Sequence, residues 1–407
     1  GPGATDIHPG KVTSVVAIGS ITPSDAPGGK LEIVKNGVEP LTVIGNLRRP
    51  VQATYADLNN DGREDIIISE FGFRQGGLSW FENTGKGNYT KHILRALPGA
   101  TRTEVYDFNK DGKIDLVITF DSYNKLAILL GNGSGGFSAP TYFTNPLGWV
   151  WVSSIISGDF NGDGKIDLVI SDYVIVNDPS NVGVMLGDGK GGFSVGNSFF
   201  SGISQITNMI SDDFNGDTKK DLAIIYRSGT VQIFFGDGLG SFSLASTFDS
   251  GCGVAAQIIS DDFNADGKKD IAISGYEKVV VCLNDGKGAF LNKSIIDLGA
   301  SISGSITSVD LNGDGKKDIA IATGDRIQIR YNLGSGNFSA RNDYDINYDE
   351  QKPTFIFSAD FNGDGKQDLA TDNWTYSSMD IPNTIRVLLG KSSISFNKID
   401  VICNGGS

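Results

Sequence analysis

A nonapeptide rich in oxygen-bearing side chains occurs seven times along this 407-residue chain. Every copy carries aspartate at positions 1, 5 and 9 and asparagine at position 3, and all but one have glycine at position 6. Successive copies begin 48 to 54 residues apart. The copies start at Asp57, Asp107, Asp159, Asp213, Asp262, Asp310 and Asp360. Such a regular recurrence of carboxylates predicts one cation site in each repeat.

The predicted ligands are all oxygen atoms. The side chains at positions 1, 3, 5 and 9 and the backbone carbonyl at position 7 can converge on one ion, and hard ligands in this number suit calcium. We therefore predict about seven calcium ions. The predicted metal-binding residues are Asp57, Asn59, Asp61, Arg63, Asp65, Asp107, Asn109, Asp111, Lys113, Asp115, Asp159, Asn161, Asp163, Lys165, Asp167, Asp213, Asn215, Asp217, Lys219, Asp221, Asp262, Asn264, Asp266, Lys268, Asp270, Asp310, Asn312, Asp314, Lys316, Asp318, Asp360, Asn362, Asp364, Lys366 and Asp368.

Turns without metal are the alternative interpretation, because Asp and Asn favour turns on their own account. The clustered aspartates would repel one another without a cation, and seven calcium ions would offset the formal charge of −14. We therefore expect chelation to loosen the fold, since metal binding is coupled to folding.

The fourth loop has Thr218 in place of glycine and should bind calcium most weakly. By analogy with extracellular calcium-binding modules, we expect Kd values of about 10⁻⁴ to 10⁻³ M.

Charge and composition narrow the classes of partner. A charge of −14 and a pI near 4.6 repel phosphate backbones and anionic lipids, so neither nucleic-acid binding nor membrane insertion is expected. Weak calcium sites require a calcium-rich compartment, which predicts a secreted or cell-surface protein. Cys252, Cys282 and Cys403 lack metal-binding or redox spacing, and we interpret them as structural residues.

Short apolar runs between the nonapeptides predict the elements that position them. Runs such as 167–171 and 182–187 are rich in Val, Ile and Leu and are bounded by Gly, Asn and Asp, which is typical of β-strands. The nonapeptide also leads into a strand pattern and lacks a glutamate at position 12, which excludes an EF-hand. Four strands in about 50 residues, repeated along the chain, predict a β-propeller.

We predict an all-β fold in which residues 1–407 form one propeller domain of eight four-stranded blades. Residues 51–403 contain the seven calcium-loop repeats. Residues 1–50 are interpreted as a degenerate, incomplete blade, because 12–18, 30–35 and 41–44 resemble later strands of a repeat. The alternative is a seven-bladed propeller with the N-terminal strands on the rim or completing the last sheet.

The nonapeptides, such as DFNGDGKID from Asp159, resemble the FG-GAP or VCBS repeats of integrin α-subunit propellers and of many secreted proteins. The resemblance covers nearly the whole chain. It implies that the loops connect the first and second strands of each blade and bind calcium structurally, while ligands engage the opposite face. This sequence departs from the integrin pattern in having Asn at position 3 throughout, and residues 136–140 are the nearest trace of a complete FG-GAP cassette.

The connections expected on the face opposite the calcium loops are rich in aromatic residues. Aromatic rings beside hydrogen-bonding groups suit a sugar or a peptide side chain, whereas packing between blades is the alternative use of each ring. The candidate ligand-binding residues are Phe71, Phe73, Tyr123, Trp149, Trp151, Tyr173, Tyr226, Tyr276, Trp374 and Tyr376.

Three functions are compatible with this pattern. The favoured one is an extracellular, calcium-stabilised module that recognises carbohydrate in the manner of a lectin. A protein-binding adhesion scaffold is the alternative, so the predicted partner is a glycan or a cell-surface protein. A calcium-dependent polysaccharide lyase is less favoured, because His8 and His92 have no carboxylate or nucleophile at a diagnostic spacing.

Overall fold

All regular structure in the described part of the chain is β-strand. The computed structural model describes residues 29–35, 39–47, 50–70, 76–85, 88–120, 125–148, 151–173, 178–323, 326–345, 356–359, 366–373 and 384–388. No helix within these ranges is long and apolar enough to cross a membrane.

Twenty-nine strands are present within these ranges. They are β1 (Gly29–Lys35), β2 (Glu39–Leu47), β3 (Pro50–Ala56), β4 (Asp65–Glu70), β5 (Gly77–Gly85), β6 (Asn88–Ala96), β7 (Ala100–Tyr106), β8 (Asp115–Phe120), β9 (Lys125–Leu129), β10 (Thr141–Thr144), β11 (Trp151–Gly158), β12 (Asp167–Tyr173), β13 (Asn181–Gly187), β14 (Phe193–Phe200), β15 (Ile206–Asp212), β16 (Asp221–Tyr226), β17 (Thr230–Gly236), β18 (Phe242–Asp249), β19 (Ala255–Asp261), β20 (Asp270–Asn284), β21 (Phe290–Val309), β22 (Asp318–Thr323), β23 (Arg326–Arg330), β24 (Asn332–Gly334), β25 (Asn337–Phe338), β26 (Asn342–Asp345), β27 (Ile356–Ala359), β28 (Asp368–Asn373) and β29 (Thr384–Leu388).

These strands form antiparallel sheets in which neighbours along the chain are neighbours in space. The first four blades are β3 to β6, β7 to β10, β11 to β14 and β15 to β18. In blade five, β20 supplies the second and third strands, which are joined by a turn at Tyr276 and Glu277. The long strand β21 is the fourth strand of blade five and continues as the first strand of blade six, where it pairs with β22. Strands β23 and β26 complete blade six.

The observed number of blades differs from the number predicted from the sequence. The described residues form six four-stranded blades, so the prediction of eight blades is wrong, and the seven-bladed alternative also gives too many. A nonapeptide marks only the connection between the first two strands of a sheet, so counting nonapeptides does not count complete sheets. The sheet after blade six has three strands, β27 to β29, and β1 and β2 form a sheet of two strands. The proposed eighth blade in residues 1–50 is therefore not a four-stranded sheet within the described ranges.

The second strand of each blade forms the centre of the core. All six residues are buried in each of β8, β16 and β22, whereas the outer strand β14 has mostly exposed or partly exposed residues. An inner strand of a blade is covered on both faces by neighbouring blades, which explains its continuous apolar sequence. The core consists of apolar clusters that each combine residues from two adjacent blades, such as Phe214 with Ile271 and Leu116 with Ile67.

Hydrogen bonds also join successive blades. Ser260 Oγ of blade five donates to Asp212 of blade four, and Ser308 Oγ of blade six donates to Asp261 of blade five. The Asn332 side-chain amide donates to the backbone carbonyl of Phe263 at 2.8 Å. Because these bonds link the first strands and the loops of adjacent blades, the nonapeptide loops are held in fixed positions along one edge of the blades.

Candidate metal-binding loops and ligand surface

Each nonapeptide described by the structure connects the first and second strands of one blade. In blade two, for example, β7 ends at Tyr106, the loop follows, and its position 9 residue, Asp115, begins β8. The two strands pair through Tyr106 and Asp115, so the ends of the loop are fixed by the sheet. This connection is the one that the family resemblance predicts.

Positions 1, 3 and 5 fold each loop into a compact turn by accepting backbone hydrogen bonds. In blade two the Asp107 carboxylate accepts from the N–H groups of Asp111 at 3.0 Å and Gly112 at 2.7 Å. Asn109 Oδ1 also accepts from the Asp111 N–H, at 2.9 Å, and Asp111 accepts from the Lys113 N–H. The other five described loops repeat the bonds to positions 5, 6 and 7.

Position 6 requires a left-handed backbone conformation. Gly112 has φ of 81°, and Thr218, the exception in the fourth loop, has φ of 69°. A β-branched residue rarely adopts this conformation, because its side chain crowds the backbone. The Thr218 N–H still donates to Asp213 at 2.8 Å, so the fourth loop keeps the shared hydrogen-bond pattern despite the strained residue.

Position 9 has a different environment from the other acidic positions. Asp221 is fully buried, and its two carboxylate oxygens accept from the N–H groups of Phe214 and Gly236, both at 2.9 Å. The bond to Phe214 holds position 2 of the loop, and the bond to Gly236 reaches the third strand. Paired bonds of the same kind occur at Asp65, Asp115, Asp167, Asp270 and Asp318.

Burial changes the acid-base behaviour of these inner carboxylates. Loss of hydration raises the pKa of Asp221 to about 6, and repulsion from Asp217 and Asp213 acts in the same direction. The backbone hydrogen bonds from Gly236 and Phe214 oppose the rise. The pKa values of Asp65, Asp115, Asp270 and Asp318 are also raised to about 6, chiefly by burial. Sequence reasoning assigned position 9 only to the metal and missed its role in joining the loop and the third strand to the second strand.

The side chain at position 7 forms an ion pair with position 5 in all six described loops. The Lys Nζ to Asp Oδ2 distances lie between 2.8 and 3.5 Å in the five loops that have lysine, and Arg63 pairs with Asp61 in the first loop. These pairs lie at the surface, with lysine side chains 36 to 45% exposed. Part of the negative charge of each loop is therefore balanced by a residue of the same loop.

The donor set of these turns fits a hard cation. Positions 1, 3 and 5 place carboxylate and amide oxygens on one short, solvent-exposed turn, and such ligands match the preference of calcium. Within the described residues, no group of three or more His, Cys, Asp or Glu side chains has an arrangement that could hold a metal ion. A calcium ion here would therefore need the Asn amide oxygen and the position 7 carbonyl in addition to the carboxylates.

The seventh predicted loop cannot be compared with these six. Residues 360–365, which include Asp360, Asn362 and Asp364, lie outside the described residues. Asp368, the last position of this nonapeptide, begins β28 and pairs with Ala359 of β27. The end of the nonapeptide therefore occupies the same place in its sheet as in the other repeats.

The candidate ligand-binding aromatic residues have different environments. Tyr276 lies at the turn between the second and third strands of blade five and is 52% exposed. Tyr226 is fully buried, and its hydroxyl donates to Gln232 Oε1, so it belongs to the core and not to a binding surface. Trp151 and Tyr173 pair across β11 and β12. The remaining candidates lie outside the described residues: Phe71, Phe73, Tyr123, Trp149, Trp374 and Tyr376.

The histidine that the structure describes is engaged by neighbouring side chains, and the two described cysteines are buried in the core. His92 in β6 stacks on Trp80 with a ring separation of 4.4 Å, and its Nε2 lies 2.8 Å from Glu82. Cys252 and Cys282 are buried and unpaired by disulfide, and burial raises the pKa of both thiols. A buried thiol with a raised pKa is a poor nucleophile. His8 and Cys403 lie outside the described residues.

Comparisons with solved structures support the propeller architecture. A lectin from Agrocybe aegerita, described as recognising non-reducing terminal N-acetylglucosamine, is similar with a TM-score of 0.57 and 20% identity. The similarity covers 82% of this chain and 94% of the lectin. A chain from a crystal structure of BBS1N in complex with ARL6DN is similar with a TM-score of 0.54 and 11% identity, and the similarity covers 85% of this chain and 94% of that chain. At these identities the similarity concerns the fold alone.

Sequence comparisons identify the repeat family. A T-cell immunomodulatory protein homolog of Plasmodium falciparum is 34% identical over 134 residues. This match covers 28% of the present chain and 18% of the relative, so the chain spans less than a fifth of that protein. The model of the FG-GAP-like repeat matches residues 57–118, 107–170, 262–321 and 310–371, which together exceed half of the chain. The chain therefore belongs to the FG-GAP-like repeat family.

Proposed function

We propose that this chain is an extracellular binding module that calcium stabilises and that recognises carbohydrate on the face opposite the nonapeptide loops. The observation that carries the calcium part is the repetition of one exposed, oxygen-rich turn in six successive blades. The carbohydrate part is supported by the fold likeness to a lectin that recognises N-acetylglucosamine. Weak calcium affinity, about 10⁻⁴ to 10⁻³ M, would match a calcium-rich extracellular setting.

Tyr276 provides the described part of the proposed sugar-binding face. The second strand of blade five begins at Asp270, next to the metal loop, and ends at the turn that carries Tyr276. Because the strand runs from one edge of the blade to the other, this turn and the metal loop lie at opposite ends of the sheet. An exposed aromatic ring can stack on the apolar face of a sugar, and its hydroxyl can bond to a sugar hydroxyl.

A glycan array probed with the calcium-loaded chain tests the proposal. We expect binding to specific sugars and a loss of about 2- to 10-fold in affinity for Tyr276→Ala, from the loss of one aromatic contact. Tyr142→Ala is the matched control, because Tyr142 is 51% exposed but lies on the outer strand β10. An array with no bound glycan, or equal losses for the two variants, would contradict the carbohydrate proposal.

Protein binding is the second candidate, and one observation favours it. Outer strands of several blades expose large apolar side chains, among them Phe200 (74%), Leu291 (77%) and Ile295 (67%). Such side chains are typical of surfaces that contact another protein. Specific capture of a cell-surface protein, lost on Phe200→Ser and combined with a silent glycan array, would favour an adhesion scaffold.

We propose that the chain has no catalytic activity. The support is that His92, the histidine within the described residues, is engaged by Glu82 and Trp80 on an outer strand. The test is incubation with acidic polysaccharides in calcium. Absorbance from newly formed unsaturated products would instead support a lyase.

A further inference from the structure

One blade carries a charged residue at a position where other blades have apolar core residues. Arg330 pairs with Ile319, the residue that follows the position 9 aspartate of blade six. The same register position is occupied by Phe81, Leu129, Met185 and Phe234 in blades one to four, as their strand pairings show. Blade six therefore has a guanidinium group at a position that apolar core side chains occupy in blades one to four.

The surroundings of Arg330 make this replacement energetically unfavourable if the residue serves only to pack the core. Arg330 is only 4% exposed, and its hydrogen bonds go to uncharged oxygens: the carbonyls of Asp297 and Ile329 and the amide of Gln328. No carboxylate of the described residues lies within ion-pair distance of it. Burial lowers the pKa of Arg330, which attraction from Asp343 and Asp297 opposes. A buried cation without an ionic partner is unfavourable unless another negative group approaches it.

Arg330 lines a cavity between blades five and six that is open to ligand. The cavity has a volume of about 500 Å³ and is bordered by the outer strand of blade five, from Ser294 to Asp297, and by residues 337–341 of blade six. A second guanidinium, from Arg341, stands at the border with its side chain 46% exposed. The other polar residues of the lining are Ser294, Asp297, Asn337 and Ser339.

The local charge balance indicates which anion would fit. Asp343 is shared between Arg341 and Arg326, each 3.0 Å away, and Asp297 is the other acidic group near Arg330. Asp343 is therefore engaged by Arg341, and among the described residues the charge in the cavity wall that has no ion pair is that of Arg330, which a single carboxylate group would match. Guanidinium groups bind carboxylates through paired, charge-assisted hydrogen bonds.

We propose that this cleft, around Arg330 and Arg341, binds the carboxylate of a small hydroxylated ligand. Arg330 at the buried end would meet the carboxylate, and the serine and asparagine side chains nearer the surface would bond to the hydroxyl groups. The ligand could be an acidic sugar or a free hydroxy acid, which share this chemistry. The site is separate from the aromatic turn of Tyr276 and does not depend on the proposed neutral-sugar binding there.

Calorimetric titration with four probes tests the site: glucuronate, gluconate, glucose and inorganic phosphate. We expect one of the carboxylates to bind at least about tenfold more tightly than glucose, because a hydrogen-bonded charge pair is added. Tighter binding of glucuronate identifies an acidic sugar, and tighter binding of gluconate identifies a free hydroxy acid. Equal affinity for glucose and both carboxylates, or stronger binding of phosphate than of either carboxylate, would overturn the proposal.

Variants assign the binding to the cleft. Arg330→Met introduces the residue that blade three carries at the same register position, so it should fold, and we expect at least a tenfold loss of carboxylate affinity. Arg341→Ala changes the exposed border and should weaken binding severalfold even if the first variant is unstable. Lys190→Met, which removes an exposed cation from a turn in blade three, is the control and should leave affinity unchanged. Full binding by both arginine variants would overturn the assignment.

Discussion

The two ends of each nonapeptide use the same amino acid for different purposes. In blade four, Asp217 at position 5 is at the surface, with its side chain 37% exposed, and it pairs with Lys219. Asp221 at position 9 is fully buried and accepts hydrogen bonds from two backbone N–H groups of the blade. Burial thus separates the two roles. An exposed aspartate of the motif belongs to the turn and is a ligand for the proposed cation, whereas a buried aspartate joins strands of the sheet.

Removing calcium should give the largest effect and should act through the exposed end. At 10 mM calcium and Kd of about 10⁻⁴ to 10⁻³ M, each loop would stabilise the fold by about 1.4 to 2.7 kcal/mol, and several loops would contribute. We expect EDTA to lower the thermal unfolding midpoint markedly and calcium, but not magnesium, to restore it. If EDTA left the thermal unfolding midpoint unchanged, the motif would stabilise the fold without a metal ion.

Asp221→Ala should give the next largest effect and should persist in EDTA. The substitution leaves the buried N–H groups of Phe214 and Gly236 without acceptors, at about 1 to 3 kcal/mol for each group. We therefore expect the free energy of unfolding, measured by urea titration, to fall by about 2 to 6 kcal/mol. If the free energy of unfolding fell only in the presence of calcium, Asp221 would instead act mainly as a metal ligand.

Asp217→Ala is the matched substitution at the exposed end of the same loop. In EDTA it removes a surface ion pair, which contributes about 0 to 1 kcal/mol, and the acceptor of the Lys219 N–H, which lies at the surface and can bond to water instead. Its main effect should be a smaller stabilisation by added calcium. Equal losses for Asp217→Ala and Asp221→Ala in EDTA would show that the two ends of the motif do not differ.

Thr218→Gly should stabilise the fourth loop by about 1 kcal/mol. Thr218 holds φ of 69°, a conformation that glycine adopts without the crowding of a β-branched side chain. We expect higher stability in EDTA and tighter calcium binding in this loop, both measured by thermal unfolding across calcium concentrations. Gly112→Thr in blade two is the reverse change and should destabilise by a similar amount, since Gly112 has φ of 81°.

Most of the architecture was predictable because it follows from local pattern. The spacing of the aspartates and the apolar runs after them predicted the propeller and placed each strand that begins at position 9, such as β8 at Asp115. The number of complete blades was not predictable from the count of nonapeptides, because completion of a sheet depends on strands far from the loop. The pairing of β1 with β2, for instance, gives a two-stranded sheet and not an eighth blade.

The sites were harder to predict because single residues depend on their surroundings. Tyr226 and Tyr276 occupy similar places in the sequence of their repeats, yet the first is fully buried and the second is 52% exposed. The inner role of Asp221 requires the position of Gly236, which lies on another strand. Arg330 could have been noticed by aligning the repeats, because its register position is apolar elsewhere, but its cavity exists only where two blades meet.

Asp172→Asn should give the smallest effect and isolates burial from metal chemistry. Asp172 lies in β12, away from the loops, is 1% exposed and accepts from the backbone and side-chain nitrogens of Asn181. Burial raises the pKa of Asp172, while the bonds from Asn181 oppose the rise. The contribution of Asp172 to the free energy of unfolding is therefore complete when the pH is below the pKa of aspartate in the unfolded chain, about 3.9. This contribution is lost as the pH rises through the pKa of Asp172 in the folded chain.

The comparison of Asp172→Asn with the unmodified chain removes the contributions of the loops, which are common to both proteins. We expect the free energy of unfolding of the unmodified chain, relative to the variant, to decrease as the pH rises above about 4. Urea titrations in EDTA at several pH values measure this difference. A relative stability that increases with pH would mean that the bonds from Asn181 outweigh burial, so that a buried aspartate of this fold can remain charged without a cation.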